Sequence, residues 1–415
     1  MTTRPPRPVP PHAPWADAWQ TIGVTGTNGK TTTTHFVGAA LRASGRSVYT
    51  LTTVDRTLDG APLEFPRSLQ GLFDSLAHAH DRGCRHAALE VTSRALALGH
   101  AKRWRFDIGV FTNLSPEHLH THGSWEHYLA SKAQLFIHLG PGQTAVLNAR
   151  DPASLLLDQA IPGDVTRRWF SVPSRGEAVH AADLEARAVE VSREGTTITL
   201  APSPLAEALG GALELQMIGE IFAENALAAA AATLAAGVPG EAVARGLASC
   251  PRSRGRFELL ARRPTVAVDY AHTPDALART CDTARRLAGD RAVIMVFGAG
   301  GDTDPGKRAP MGEAAGSRAD LVILTTDNAR GEDPAAIAAA LEVGCRRGGR
   351  ARVVIELDRA RAIERALAEA GEDDVIVIAG KGHEEGQTIA GVTAAFSDHE
   401  VVATLLGAAP RERST

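Results

Sequence analysis

Glycine, lysine and threonine crowd into the stretch TIGVTGTNGKTTTTHF, Thr21 to Phe36, in an order suited to holding a phosphate. Gly26 and Gly29 follow an apolar run and precede a helical one, and residues this small let backbone N–H groups converge on an anion at a helix N-terminus. Lys30 then has the reach for outer phosphates, and the Thr31 hydroxyl is a suitable ligand for Mg²⁺. The generic mononucleotide pattern G-x-x-x-x-G-K-[ST] needs glycine where this chain has Val24; its glycines fall at Gly23 and Gly26. Spacing alone leaves both a nucleotide site and an ordinary glycine-rich turn open.

A second candidate is PEHLHTH. His118, His120 and His122 alternate there, so on an extended strand all three would face one way in the manner of a zinc site. The four cysteines, Cys84, Cys250, Cys281 and Cys345, are far apart and form no C-x-x-C pair, which argues against a thiolate zinc site and a disulfide framework, and for a reduced cytoplasmic setting.

The elements around these residues read as α/β. Short apolar runs alternate with amphipathic ones, the pattern of parallel sheets covered by helices. Strands are predicted at Thr21–Thr25, Ser47–Thr53, His86–Val91, Ile108–Asn113 and Thr144–Asn148, with helical stretches at Ser68–Arg82 and Ser124–His138. From about Thr166 to Met217 the pattern turns β-rich, with REG as a hairpin turn, which predicts a small antiparallel addition. CPRSRGRF, Cys250–Phe257, has the composition of a linker. A second alternation follows, with strands at Thr265–Tyr270, Ala292–Phe297, Leu321–Thr326, Arg352–Leu357 and Val375–Ala379, and a last helix announced by the capping-box spacing Ser397 to Glu400.

With 415 residues, 44% of them hydrophobic, the chain is long enough for two or three domains. A net charge of −4 offers no footprint for nucleic acid or an anionic membrane. No segment approaches the apolar length of a membrane span. The N-terminal MTTRPPRPVPPHAPWADAWQ has no apolar core and reads as a flexible proline-rich leader, residues 1–20.

The words TGTNGKTTT resemble the ATP loop of the Mur ligases, the enzymes that build the peptide of bacterial cell-wall precursors. LEVTSRAL, VFTNLSPEHLHTHGSWEHYLASKAQLF, VDYAHTPDAL, FGAGGDTDPGKRAPMG, TTDNARGEDP and AGKGHEEGQ resemble further family motifs in the same order through nearly the whole chain, most like the branch that adds the third residue. The resemblance implies a central ATP-binding domain over 21–250, of P-loop type with a parallel sheet, and a C-terminal Rossmann-like domain over 251–415. It also implies an ATP- and Mg²⁺-dependent ligase in which a carboxylate becomes an acyl phosphate and an amine then displaces phosphate. Charge builds up throughout such a reaction, so cations and oriented donors must surround the transferring group.

Residue by residue, the resemblance puts Gly26, Thr27, Asn28, Gly29, Lys30, Thr31 and Thr32 on the phosphates, with Lys30 bridging the outer two and Thr31 on Mg²⁺. Glu90 would share that metal, since a hard cation favours carboxylate oxygen; the alternative is a solvated glutamate. His118 would hold a second Mg²⁺, leaving His120 and His122 as loop residues against the zinc reading. Lys132 matches a lysine that is carbamylated in many relatives, which would make it an anionic metal ligand; its plain reading is an exposed helix lysine. Arg256 would reach the γ-phosphate, Asp269 the ribose, and Asn225 the adenine, although Phe222 replaces a further family asparagine. On the amine side, Asp327, Asn328 and Arg330 of DNAR, with Gly380 and Glu384, would grip the distal end of an incoming amino acid, where an arginine fork suits a carboxylate. The family's proline is replaced by Ala329, and Thr303 stands where diaminopimelate-adding relatives carry an arginine.

Two departures concern the acceptor. In the cell-wall ligases an entire UDP-sugar domain precedes the ATP loop, where this sequence has only its leader. LEFPRSLQ, Leu63–Gln70, puts Glu64 and Phe65 in place of threonines that contact the sugar-peptide. The expectation is a ligase joining an amino acid to a carboxylate other than a UDP-muramoyl peptide, in a specialised pathway. Its alternatives are a cell-wall ligase whose partner protein supplies the missing domain, a folylpolyglutamate-synthase-like ligase, an ammonia-using partner of a glutaminase, or a non-catalytic ATP-binding subunit.

Overall fold

The computed structural model describes residues 14–115, 124–173 and 176–407. His118, His120 and His122 lie outside the described residues, and so do the expectations attached to them. The chain divides into two compact units, one formed by Met1–Glu190, Thr196–Gln216 and Ile221–Cys250, the other by Val191–Gly195, Met217–Glu220 and Pro251–Thr415.

Among the described residues, the first unit is built on a single sheet of eleven strands. They are β1 (Gln20–Thr25), β2 (Val48–Leu51), β3 (Arg56–Leu58), β4 (Ala61–Pro62), β5 (His86–Glu90), β6 (Ile108–Phe111), β7 (Thr144–Asn148), β8 (Thr166–Ser171), β9 (Leu184–Val191), β10 (Thr196–Leu200) and β11 (Ala212–Leu215). Their order is β11-β10-β9-β8-β7-β6-β1-β5-β2-β3-β4. The middle strands pair in parallel, and β1 and β7 are buried along nearly their whole length instead of at alternate residues, as strands covered on both faces are. The register sets Val24 beside Glu90 and Thr25 beside Phe111, so β1, β5 and β6 deliver the phosphate loop, a carboxylate and the Thr112–Asn113 turn to one edge. The carboxyl edge of a parallel sheet is where α/β proteins place ligands.

Two expectations need correction here. The addition is continuous with the central sheet, and its first strand, β8, pairs with both β7 and β9 in parallel; β10 and β11 carry an antiparallel ladder as expected, and the bonds of Ser192 N–H to the Gly195 carbonyl and Ala201 N–H to the Glu185 carbonyl close the predicted hairpin between β9 and β10. Packing also begins before residue 21. Trp19 is buried, and Trp15 stacks on His80 with ring centroids 4.9 Å apart, because indole rings bury too much apolar area to remain in a solvated leader.

Among the described residues, the main sheet of the second unit has six strands in the order β12-β13-β17-β14-β15-β16. These are β12 (Glu258–Arg262), β13 (Thr265–Asp269), β14 (Val293–Phe297), β15 (Leu321–Leu324), β16 (Arg352–Ile355) and β17 (Val375–Ala379). All adjacent pairs are parallel except β12 with β13. A hairpin of β18 (Gly386–Ile389) and β19 (Val392–Ala395) precedes the helix Asp398–Leu405. Ser397 does not cap that helix as its spacing suggests: its hydroxyl is buried without a partner. The neighbouring Asp398 instead takes Arg359 in a fully buried bidentate pair, at 2.7 and 2.8 Å, while the same guanidinium donates to the Ala379 carbonyl at the end of β17.

Candidate active site

The loop after β1 is shaped by close packing. A Cβ at Gly23 would meet Phe106 at 2.6 Å, so that glycine serves the core. A Cβ at Gly26 would lie 1.9 Å from Thr112 Oγ1, and one at Gly29 2.2 Å from Asn225 Oδ1. Gly29 also has φ +84°, a conformation that favours glycine, and it starts the helix Lys30–Ala43. The glycines that look displaced from the generic pattern are thus fixed by Phe106, Thr112 and Asn225. The first N–H groups of such a helix have no intrahelical acceptor and point toward an anion. This cradle, which a side chain would fill, fits a nucleotide's phosphates.

The loop is also tied down from outside. Asn28 N–H donates to Asn113 Oδ1 at 2.9 Å, Thr112 Oγ1 donates to the Asn28 carbonyl at 2.7 Å, and Thr27 Oγ1 lies 3.3 Å from the Tyr128 hydroxyl. Lys30 folds back, its Nζ donating to the Thr27 carbonyl at 2.7 Å. Thr32 is buried in the first helical turn. Thr31 Oγ1 donates to Glu90 Oε2 at 2.8 Å, and the same carboxylate oxygen accepts Thr53 N–H at 3.0 Å. A hydroxyl and a carboxylate in contact are an oxygen donor set of the kind Mg²⁺ takes. Lys132 is not the exposed lysine of its plain reading: it is buried, donates to the Gly26 carbonyl at 2.6 Å and lies 4.2 Å from the centre of the Tyr128 ring.

Glu90 is held through a second tier. Thr52 Oγ1 donates to Asp55 Oδ1 at 2.5 Å and accepts the N–H groups of Val54 and Asp55, forming the turn that presents Thr53. His35, on the phosphate-loop helix, closes the turn at 3.0 Å from Asp55 Oδ1. Burial pushes the Asp55 carboxyl up, but the His35 hydrogen bond and charge and the Thr52 hydroxyl outweigh it, so the carboxyl sits below its ordinary 3.8. A carboxyl held lower in the folded than in the unfolded chain contributes stability above its unfolded value and loses it as pH falls. Wild type should therefore exceed Asp55→Asn in urea midpoint above about pH 5, with the gap closing below about pH 4. Gly29→Ala is expected to weaken nucleotide binding at least about ten-fold, from a strained φ and a displaced Asn225 together; calorimetric titration with ADP measures it.

The second unit carries the remaining expected residues. Asp269 ends β13; its Oδ1 accepts the N–H groups of Tyr270 at 2.8 Å and Phe257 at 3.3 Å, and its Oδ2 accepts the Thr280 hydroxyl. Burial pushes its carboxyl above the ordinary range, outweighing these donors and the nearby Arg256. Arg256 lies over the Tyr270 ring, 4.6 Å from its centre. Asp327, Asn328 and Arg330 follow β15. Asn328 Nδ2 donates to Glu384 Oε2 at 2.9 Å, and the buried Lys381 donates to that oxygen at 3.1 Å and to Asn328 Oδ1 at 3.3 Å. Gly380 has φ +110°, and a Cβ there would sit 2.5 Å from Asp327 Oδ2. Arg330 donates to the Gly301 carbonyl at 2.5 Å. DNAR and AGKGHE, more than fifty residues apart, thus form one polar cluster.

Gly26 to Thr32, Glu90, Lys132 and Asn225 therefore lie on the first unit, and Arg256, Asp269, Asp327, Asn328, Arg330, Gly380 and Glu384 on the second. Sequence reasoning missed Thr53, Tyr128, Asn113 and Lys381. Asn113, Tyr128 and Lys381 stand inside motifs already quoted; Thr53 carries no local signal. Among the described residues no group of three or more His, Cys, Asp or Glu is placed to hold a metal, and no helix is long and apolar enough to cross a membrane.

Residues 24–233 match the Mur ligase middle domain, and residues 255–382 match the Mur ligase, glutamate ligase domain. The chain is 41% identical over 394 residues to UDP-N-acetylmuramoyl-L-alanyl-D-glutamate--2,6-diaminopimelate ligase of Solibacter usitatus, covering 92% of this chain and 76% of that protein. It is 39% identical over 392 residues to the enzyme of the same name from Halalkalibacterium halodurans, covering 92% and 77%. A solved structure of a ligase of that name superposes with a TM-score of 0.63 at 32% identity, covering 94% of this chain and 78% of the other. The Mycobacterium tuberculosis folylpolyglutamate synthase complexed with ADP and AMPPCP shares the fold, with a TM-score of 0.67 at 22% identity over 95% and 93% of the two chains.

Proposed function

From the premise that the chain belongs to the Mur ligase family, we infer an enzyme that joins an amino acid to a carboxylate acceptor other than a UDP-muramoyl peptide. As a family member it is an ATP-dependent acid–amino-acid ligase that uses Mg²⁺. The observation that carries the reading is the contact of Thr31 with Glu90 beside Lys30 on a glycine-shaped loop. ATP supplies the γ-phosphoryl group that activates the acid; Thr31 and Glu90 would hold Mg²⁺, which would offset its charge. Lys30 leaves the Thr27 carbonyl to follow the outer phosphates. A carboxylate oxygen of the acceptor bonds to phosphorus as the bond to ADP breaks. The amine nitrogen then bonds to the acyl carbon, phosphate leaves, and the amine's proton passes to solvent.

On the second unit, Asp269 takes the ribose and Arg256 the γ-phosphate, while Asn328, Arg330 and Glu384 hold the amino acid, with Asp327 and Gly380 shaping the floor. His118 remains a proposed ligand of a second Mg²⁺, and Asn225 a proposed neighbour of the adenine. The acceptor departs from the sugar-peptide because Phe65 and Leu63 line the cavity beside Glu90. A cytoplasmic site of action belongs to the same proposal and fits four free, buried cysteines. The test is phosphate release from Mg²⁺-ATP across amino acids crossed with carboxylic acids, with mass spectrometry of the products. An amide product dependent on ATP supports the reading. ATP binding without turnover for any pair favours a non-catalytic subunit.

A further inference from the structure

We propose that the cavity beside Glu90 seats the acceptor, and that the acceptor is a carboxylic acid with an apolar body of aryl or acyl type. The inference rests on the ligase reading and narrows it. The cavity has a volume of about 580 Å³, within the range of sites that enclose small molecules. Its polar lining includes Thr53, Asp55 and Glu90, the last being the carboxylate already joined to Thr31 on the phosphate loop. The rest is walled largely by Val54, Pro62, Leu63, Phe65, Leu69 and Leu72. Leu63 and Leu72 pack on the core behind them, so this wall is rigid.

Both guanidinium groups of the cavity donate to backbone carbonyls of the protein, although Arg56 Nε is buried without a partner. Arg67 donates to the carbonyls of Thr53 and Val54 at 3.1 and 2.8 Å. Arg56 donates to the Gly71 carbonyl at 3.3 Å and lies over Phe65, 5.8 Å from the ring centre. Neither forms the open fork that a pyrophosphate requires. Arg67 instead locks the turn that presents Thr53 to Glu90, while Arg56 lies on the aromatic wall. A ligand that matches this surface lays hydrocarbon along Phe65, Leu69 and Val54 and turns its carboxylate toward Thr53, where a Mg²⁺ held by Thr31 and Glu90 would offset its charge.

The experiment uses the full chain and the series phenylacetate, 3-phenylpropionate, 4-phenylbutyrate and 5-phenylvalerate. Binding is measured by calorimetric titration in the presence of Mg²⁺-ADP, and turnover by phosphate release with Mg²⁺-ATP and an amino-acid mixture. The dissociation constant is expected to fall up to about four-fold per added methylene, the conversion of about 0.8 kcal/mol per buried CH₂. Phe65→Ser and Leu69→Ser should each flatten the series and weaken the longest acid about ten-fold, with ADP affinity as the control for folding. Length-dependent binding with turnover supports both the cavity assignment and the ligase. Length-dependent binding without turnover supports the cavity and sinks the ligase reading. Turnover that ignores chain length, or that prefers a UDP-muramoyl peptide, overturns the apolar acceptor and leaves the ligase standing. Neither binding nor turnover overturns both.

Discussion

Lys30→Met is expected to lower ATP-driven turnover by about 10²- to 10³-fold, the usual loss when one oriented donor to a charge-accumulating transition state is removed. The physical case lies in what Lys30 does without nucleotide: its Nζ rests on the Thr27 carbonyl at 2.7 Å, in the loop itself, and crosses no core. Methionine keeps the stem and removes the charge, so the helix Lys30–Ala43 and its packing should survive. The measurement is kcat/KM for phosphate release beside the urea midpoint of the same sample. A large kinetic loss with an unchanged midpoint places the lysine on the transferring group. A midpoint that falls with activity would give it a structural task instead.

Lys132→Met should behave differently, with turnover falling at least about 100-fold and stability falling too. The Lys132 ammonium is buried and donates to the Gly26 carbonyl at 2.6 Å, so its loss leaves that carbonyl short of a charged donor. Hydrogen bonds of that kind are worth about 1.5–3 kcal/mol, or a fall of roughly 3–6 °C in the unfolding midpoint of a unit this large. Activity then separates two roles. If the lysine acts as a carbamate, acetate should restore part of the turnover of Lys132→Ala by standing in for the lost carboxylate, and bicarbonate should not. If it only braces Gly26, acetate changes nothing.

Much of the fold was legible because buried parallel strands write themselves as apolar runs. Thr144–Asn148 and Val375–Ala379 are strands to the residue. Ser47–Thr53 overshoots, since β2 ends at Leu51 and Thr52 and Thr53 leave the sheet to serve Asp55 and Glu90. Within the β-rich segment only β8 departs from the expected antiparallel pairing, because whether it lies parallel or antiparallel to its neighbours depends on the path of the chain and not on its own residues. Ser397 shows the same limit: a capping spacing lost out to the burial of the neighbouring Asp398 against Arg359.

At the candidate site, legibility followed contiguity. Gly26 to Thr31 could be read as a unit because their chemistry is consecutive. Thr53 meets Glu90 across 37 positions and Tyr128 meets Thr27 across 101, and no local pattern records such meetings. Phe65 was visible as a substitution, but the cavity it lines was not, since it takes β2, β4 and the helix Leu69–Asp81 together to enclose it.

The buried pair of Arg359 and Asp398 has a consequence for biosynthesis. Arg359 is wholly enclosed beneath the end of β17, and its carboxylate arrives 39 positions later, almost at the end of the described chain. A guanidinium sealed away without that carboxylate costs about 3–5 kcal/mol, a large share of what holds a domain together. On the ribosome, the first unit has all its residues once Cys250 has emerged and is free to close during synthesis, as N-terminal domains generally do. The second unit must wait for Asp398, so its folding is triggered by the arrival of the C-terminal helix, and a nascent chain cut short of that residue yields a folded first half joined to an unfolded second.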